Sequence, residues 1–172
     1  YTTLSVTATP TTTATPDSGN AIIDIAKEGY VITTLHSDGK IYKTTSAGTS
    51  TLFQTLSGAT SLEYVKDYLI VGDANVLKDA TGSGTPTTIY THPDTNYRWV
   101  DYAPGQSAIY ALGGIGNRYQ VHRITIQEDG TAFSTAIVAA TLPDGEVGYS
   151  IGEYLGFIFI GTNNGIRMAS MN

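Results

Sequence analysis

Cysteine is absent from this 172-residue chain. The sequence therefore excludes disulfide bonds, thiolate metal sites and a cysteine nucleophile. The lack of cysteine does not fix a compartment, because many extracellular proteins and virus particles also lack disulfides. Charged residues are scarce as well: they make up 14% of the chain, below the usual quarter.

Positive charge is especially sparse and never clustered. The 9 Lys and Arg residues face 15 Asp and Glu, which gives a formal net charge of −6. A surface that follows phosphate groups needs several neighbouring cations, so the sequence predicts no nucleic-acid partner and no anionic membrane partner. The longest apolar runs have the length of a β-strand, so no transmembrane helix is predicted.

Strand-forming and turn-forming residues dominate what is present. About one residue in six is Thr, and the chain has 12 Tyr and 19 Gly. Branched and flat side chains pack well on a pleated sheet, and glycine accepts the positive φ of tight turns. The composition therefore predicts an all-β fold.

A four-strand pattern recurs from residue 21 to the C-terminus. Its clearest copy, residues 148–169, consists of a strand, a short break, a buried strand, a Gly/Asn turn and a returning strand. The period of about 40–50 residues is typical of four-stranded propeller blades. The sequence predicts a β-propeller-like array of about four antiparallel blades, at about 21–58, 59–93, 95–145 and 146–172. A two-sheet β-sandwich built from the same hairpins is the alternative.

The two ends of the array are irregular. Residues 1–20 are rich in Thr and Pro and predict an extended arm or linker. The last unit lacks an obvious fourth strand, which residues 2–8 could supply. The chain begins at Tyr1 without a signal-peptide pattern, so we expect a processed chain or a segment of a longer one.

Three motifs suggest chemistry, but their contexts do not support it. Residues 148–152 match Gly-x-Ser-x-Gly, yet neither a helix nor a histidine is expected after Ser150, as a nucleophile elbow would require. His36, His92 and His122 lack the spacing of metal ligands. Gly39-Lys40 lacks the remaining residues of a phosphate-binding loop.

Acidic and aromatic side chains offer further candidates. The Asp, Asn and Gly residues of the turns do not follow a calcium-loop spacing and suit hairpin turns. First-strand acids could converge near a central channel; these are Asp24, Glu63, Asp101 and Glu153. Among the aromatic residues, Tyr97 and Trp99 are predicted to be exposed interface contacts. The sequence predicts no catalytic residue, no metal site and no cofactor.

Residues 154–169 resemble propeller blades of bacteriophage tail proteins, such as nozzle, tail-tube, hub or fibre-associated proteins. The resemblance implies a structural role in the virion, with other copies of the chain and other virion proteins as partners, and a host surface glycan as a further candidate. A charge-poor surface suits permanent protein contacts. The alternatives are a secreted or surface propeller that binds carbohydrate or protein, and a propeller glycosidase or lyase.

Overall fold

The structure, a computed structural model, describes residues 14–17, 19–127 and 133–171. This part of the chain forms β-strands and contains no helix. The first sheet comprises β1 (Ile22–Glu28), β2 (Val31–His36), β3 (Lys40–Thr44) and β4 (Ser50–Thr55). The second comprises β5 (Ala59–Val65), β6 (Tyr68–Asp73), β7 (Val76–Asp79) and β8 (Thr87–Thr91). The third comprises β9 (Arg98–Pro104), β10 (Ala108–Ile115), β11 (Arg118–Thr125) and β12 (Ile137–Thr141). The fourth comprises β13 (Gly148–Tyr154), β14 (Phe157–Thr162) and β15 (Gly165–Ser170).

Each sheet is an antiparallel meander whose strands lie in chain order. The first strands of successive sheets pack side by side, β1 on β5, β5 on β9 and β9 on β13. Four sheets arranged in this way are the blades of a propeller, here named blades 1 to 4. The predicted all-β, propeller-like fold is confirmed.

The four blades form an arc. Within the described residues, no comparable packing joins β13 back to β1. Blade 4 has three strands in the same part of the chain. The segment predicted to supply its fourth strand, residues 2–8, lies outside the described residues.

A β-bulge aligns the blades with one another. Every first strand carries a bulge near its beginning, where one extra residue is inserted opposite the second strand. The residues that follow the bulge are Asp24, Ser61, Asp101 and Ser150. Their partners on the second strands are Leu35, Gly72, Leu112 and Gly161. Asp paired with Leu thus alternates with Ser paired with Gly, so the chain repeats every two blades as well as every blade.

The core consists of three apolar layers between neighbouring blades. Leu35, Leu62 and Val71 belong to the layer between blades 1 and 2. Val65, Ile70, Leu77, Trp99, Tyr102 and Ile109 belong to the layer between blades 2 and 3. Leu112, Val121, Ile151, Ile158 and Ile160 belong to the layer between blades 3 and 4. The second strands β6 and β10 are buried nearly throughout because a blade covers each of their faces.

Among the described residues there is no helix of the length and apolar character needed to span a membrane.

Candidate functional site

The Gly-x-Ser-x-Gly sequence lies within β13 and pairs with β14. Ser150 is exposed on this strand, and the described residues that follow it form only strands and turns. A nucleophile elbow requires a sharp strand-to-helix turn, which the extended backbone here does not provide. Ser150 therefore lacks the geometry that would activate it.

The three histidines occupy two separate places. His36 is buried, with its Nε2 atom 3.1 Å from Thr34 Oγ1 and its Nδ1 atom 3.3 Å from the Asn20 carbonyl oxygen. His92 and His122 lie together, with their ring centroids 5.6 Å apart. Among the residues that the structure describes, no group of three His, Cys, Asp or Glu side chains is placed to hold a metal ion.

Two of the first-strand acids connect neighbouring blades. The Asp24 carboxylate accepts hydrogen bonds from the backbone N–H groups of Ile25 and Leu62, each at 2.8 Å, and so joins blade 1 to blade 2. Asp101 accepts from the Tyr102 and Ile151 N–H groups at the same distances and joins blade 3 to blade 4. The two carboxylates make the same contact in the two halves of the chain.

The other two acids accept hydrogen bonds within their own blades, Glu63 from the Tyr64 N–H at 3.0 Å. Burial raises the pKa values of Asp24, Glu63 and Asp101, and the hydrogen bonds that these carboxylates accept from backbone N–H groups oppose this rise. The negative charge of Asp101 raises the pKa values of Asp24 and Glu63 further, so these three first-strand acids lie near one another, as the sequence predicted. Glu153 bonds instead to the Gly156 N–H at a turn. Asp24 and Asp101 each accept two backbone donors and thereby connect neighbouring blades.

Tyr97 and Trp99 are buried inside the chain, with exposed fractions of 2% and 1%. The prediction that they are exposed contacts is wrong. Trp99 is the second residue of β9 and packs into the layer between blades 2 and 3, where Tyr97 contacts it with ring centroids 5.0 Å apart. The amphipathic character of these rings suits an interface, but the interface is between two blades of the same chain.

Sequence reasoning missed a cluster of aromatic and histidine rings around Trp99. Its members are Tyr90, His92, Tyr97, Trp99 and His122. His92 stacks on Tyr97 with centroids 3.8 Å apart, and burial together with His92 lowers the pKa of His122 to about 4. The alternation of rings at 90 and 92, and at 97 and 99, was the available signal. The cluster lies between β8, β9 and β11.

Apolar side chains are exposed on the outward face of blade 1, which no other described blade covers. This blade 1 face carries Ile22, Ile25 and Ile32 on β1 and β2. In the three interior layers, apolar residues of the first two strands are buried. Blade 1 thus has one packed face and one open apolar face.

The outward face of blade 4 is also apolar, and no other blade in the described part of the chain covers it. This blade 4 face carries Tyr154, Phe157, Ile166 and Met168, all exposed, and Phe159, which is partly buried. The opposite face of the same strands holds Ile151, Ile158 and Ile160, which are buried against blade 3. Large exposed apolar patches on a protein typically mark contact surfaces. The two end faces are therefore the candidate functional site.

An ion pair holds the edge strand of blade 4 in place. Arg167 on β15 donates through Nε to Glu146 Oε2 at 2.9 Å, and its Nη2 atom bonds to Glu146 Oε1. The Arg167 guanidinium, together with a bond from Asn164, lowers the pKa of the Glu146 carboxyl. Because Glu146 precedes β13 and Arg167 lies on β15, the pair fastens the exposed hairpin to the start of its own blade.

No protein-family model and no curated protein sequence matches the chain. Solved structures do match it in fold. The computationally designed protein Ika4 superposes with a TM-score of 0.63 at 11% identity, over 95% of this chain and 100% of Ika4. YCF48 from Cyanidioschyzon merolae has a TM-score of 0.62 at 12% identity, over 87% of this chain and 50% of YCF48.

The CNH domain of AfRom2 has a TM-score of 0.60 at 12% identity, over 90% of this chain and 53% of that chain. The present chain thus spans about half the length of the YCF48 and CNH structures. At these identities the similarity concerns the fold alone, and it places this chain among β-propeller-like structures.

Proposed function

We propose that this chain is a structural protein that acts by assembly and not by turnover. The observation that carries the proposal is the pair of open apolar faces, one at each end of the four-blade arc. Leaving such faces in water forfeits about 25 cal/mol for every Å² of apolar surface that a partner would cover. Burial of these faces against a partner stabilises the complex, so this arrangement favours association.

The resemblance of residues 154–169 to phage tail blades makes a virion the proposed location. The partners that we propose are other copies of the chain and other tail proteins. Few charged groups lie on the end faces, which suits permanent contacts because charged groups lose hydration energy when they are buried.

Mass spectrometry of purified phage particles tests the location. The chain should co-purify with particles through a density gradient, in constant ratio to the other structural proteins. Its absence from intact particles, with the protein present in the same lysate, would rule out the virion as its site of action.

Two matched substitutions test the assembly role. Ile25 on the blade 1 face and Ile137 on β12 are equally exposed, at 56% and 57%. Ile25→Asp should abolish association in sedimentation velocity, because it places a carboxylate in the contact. Ile137→Asp should leave association unchanged. Equal effects of the two substitutions would show that the end face has no special role.

A surface propeller that binds a peptide or glycan is the second candidate. Tyr30 is largely exposed in the turn between β1 and β2, and Tyr154 is largely exposed at the end of β13. One solved structure of similar fold is YCF48 bound to a D1 peptide. Binding of a glycan or peptide by the isolated monomer, lost on Tyr30→Ala and Tyr154→Ala, would favour this function over assembly.

A further inference from the structure

The contact between blades 2 and 3 is a template for what the blade 1 and blade 4 faces could bind. Ser61 donates its hydroxyl hydrogen to the Trp99 carbonyl oxygen at 3.0 Å, and its Oγ atom lies 2.7 Å from the Tyr102 hydroxyl. Gly72, which pairs with Ser61, has no room for a side chain: an added Cβ would stand 2.6 Å from Trp99 Cβ. Ser and Gly on one blade thus receive the beginning of the next blade's first strand.

Blade 4 repeats the receiving half of this contact without a partner. By register, Ser150 and Gly161 are the equivalents of Ser61 and Gly72. Among the described residues, an added Cβ on Gly161 would meet only Ser150 Oγ, so none of them occupies the space that Trp99 occupies beside Gly72.

The apolar residues around this site match as well. Ile166 pairs with Gly161 just as Leu77 pairs with Gly72, yet Ile166 is 77% exposed and Leu77 is 1% exposed. Tyr154 is likewise exposed where its equivalent Val65 is buried.

Blade 1 repeats the inserting half of the contact. Ile22, the residue before the bulge of β1, is the equivalent of Trp99 and is 51% exposed. Ile25 takes the place of Tyr102, and Ile32 takes the place of Ile109; both are exposed although their equivalents are buried. The blade 1 face is therefore related to the blade 4 face as blade 3 is related to blade 2.

We propose that a second copy of this chain docks its blade 1 face on the blade 4 face, and the reverse, so that two copies close a ring of eight blades. The proposal rests on the assembly role proposed above and names its partner. In this contact Ser150 donates to the partner copy's backbone carbonyl at position 22, and Gly161 leaves room for the isoleucine side chain there.

Two-fold symmetry explains why the second copy is this chain itself. The two end faces are different, and each complements the other, so a two-fold axis pairs both at once and leaves neither exposed. In the described part of the chain, β13 does not pack on β1 as the first strands of successive blades pack on one another. The chain covers about half of the YCF48 and CNH structures, so two copies supply a comparable length of propeller-like fold.

Cysteine pairing tests the contact directly, because the chain has no cysteine of its own. Ser61 Oγ and Trp99 Cβ both lie within 2.8 Å of the position that a Cβ on Gly72 would take. Their equivalents, Ser150 of one copy and Ile22 of the other, are therefore close enough for a disulfide in the proposed contact. One copy carries I22C and another carries S150C. Each alone should give no disulfide, and an oxidised mixture of the two should give a covalent dimer.

A mixture of I22C with S107C is the matched control, since Ser107 is exposed in the turn between β9 and β10 of blade 3. It should give no dimer. Sedimentation equilibrium of the unmodified chain should give twice the monomer mass, and Ile25→Asp should return it to the monomer.

Other outcomes overturn the proposal and are distinguishable from failure of the assembly role. A dimer without the I22C–S150C disulfide would mean that another surface is used. A disulfide within a single I22C/S150C double variant, running as a monomer, would mean that four blades close on themselves. A monomer that still co-purifies with phage particles would keep the assembly role and assign the end faces to a different virion protein.

Discussion

Alanine at Gly72 and at Gly161 should have opposite consequences, although the two glycines are equivalent in the repeat. Gly72 lies in the closed contact between blades 2 and 3, where an added Cβ would stand 2.6 Å from both Trp99 Cβ and Tyr102 Oη. Gly161 faces open space apart from the Ser150 hydroxyl, at 2.7 Å. The same methyl group is therefore forced into a packed layer in one case and into solvent in the other.

The magnitudes follow from this geometry. Inserting a methyl group into a packed core costs about 1–3 kcal/mol. Replacing glycine by alanine restricts the unfolded chain and returns about 0.4–1 kcal/mol. Gly72→Ala should therefore lower the free energy of unfolding by about 1–2 kcal/mol, given these two opposing effects. Gly161→Ala should change it by less than about 0.5 kcal/mol, as is usual for exposed positions, because the Ser150 hydroxyl can rotate away.

Urea unfolding followed by tryptophan fluorescence measures both effects. Trp99 is the sole tryptophan and lies buried in the contact that Gly72 lines, so its emission reports unfolding of this layer. The measurement is made at a concentration where sedimentation shows monomers, since association would add to the apparent stability. At higher concentration Gly161→Ala should weaken self-association at least tenfold, about 1.4 kcal/mol. Equal stability losses at Gly72 and Gly161 would refute the assigned difference between a closed and an open contact.

Two further predictions concern buried polar groups. Asp101→Ala leaves the Ile151 N–H without its acceptor and should lower the free energy of unfolding by about 1–3 kcal/mol; the same change at the exposed Asp144 should have little effect in the same urea titration. The pKa of His122 is lowered to about 4, from an unfolded value near 6.5, so the unfolded chain binds its proton first and stability should fall as pH decreases from about 6.5 to 4. Comparing melting temperatures of the native chain and His122→Gln isolates this loss, and an identical pH dependence would contradict it.

Much of the fold follows from local sequence patterns. The apolar second strands, the Gly and Asn turns and the recurrence of the four-strand unit predicted the blades, because each blade is a meander whose strands pair with their neighbours in sequence. The two-blade alternation of Asp24 and Asp101 with Ser61 and Ser150 was not predicted. The number of residues between equivalent positions varies from one blade to the next. The equivalence is therefore visible only once the bulges of the paired strands are aligned.

Which side chains are buried between blades was harder to predict from the sequence. Tyr97 and Trp99 looked like surface contacts because they follow a Pro- and Asp-containing turn, and a turn usually lies in solvent. In the structure Trp99 on β9 and Tyr97 just before this strand both pack into the layer against blade 2.

The sequence by itself determined the all-β class, the repeat and the absence of any disulfide, because these depend on residue types and on pairing between adjacent strands. Tertiary structure alone decided which apolar residues are covered. Ile70 and Phe159, like Leu77 and Ile166, occupy equivalent positions on equivalent strands. They differ because blade 3 covers the first member of each pair, whereas no described part of the chain covers the second.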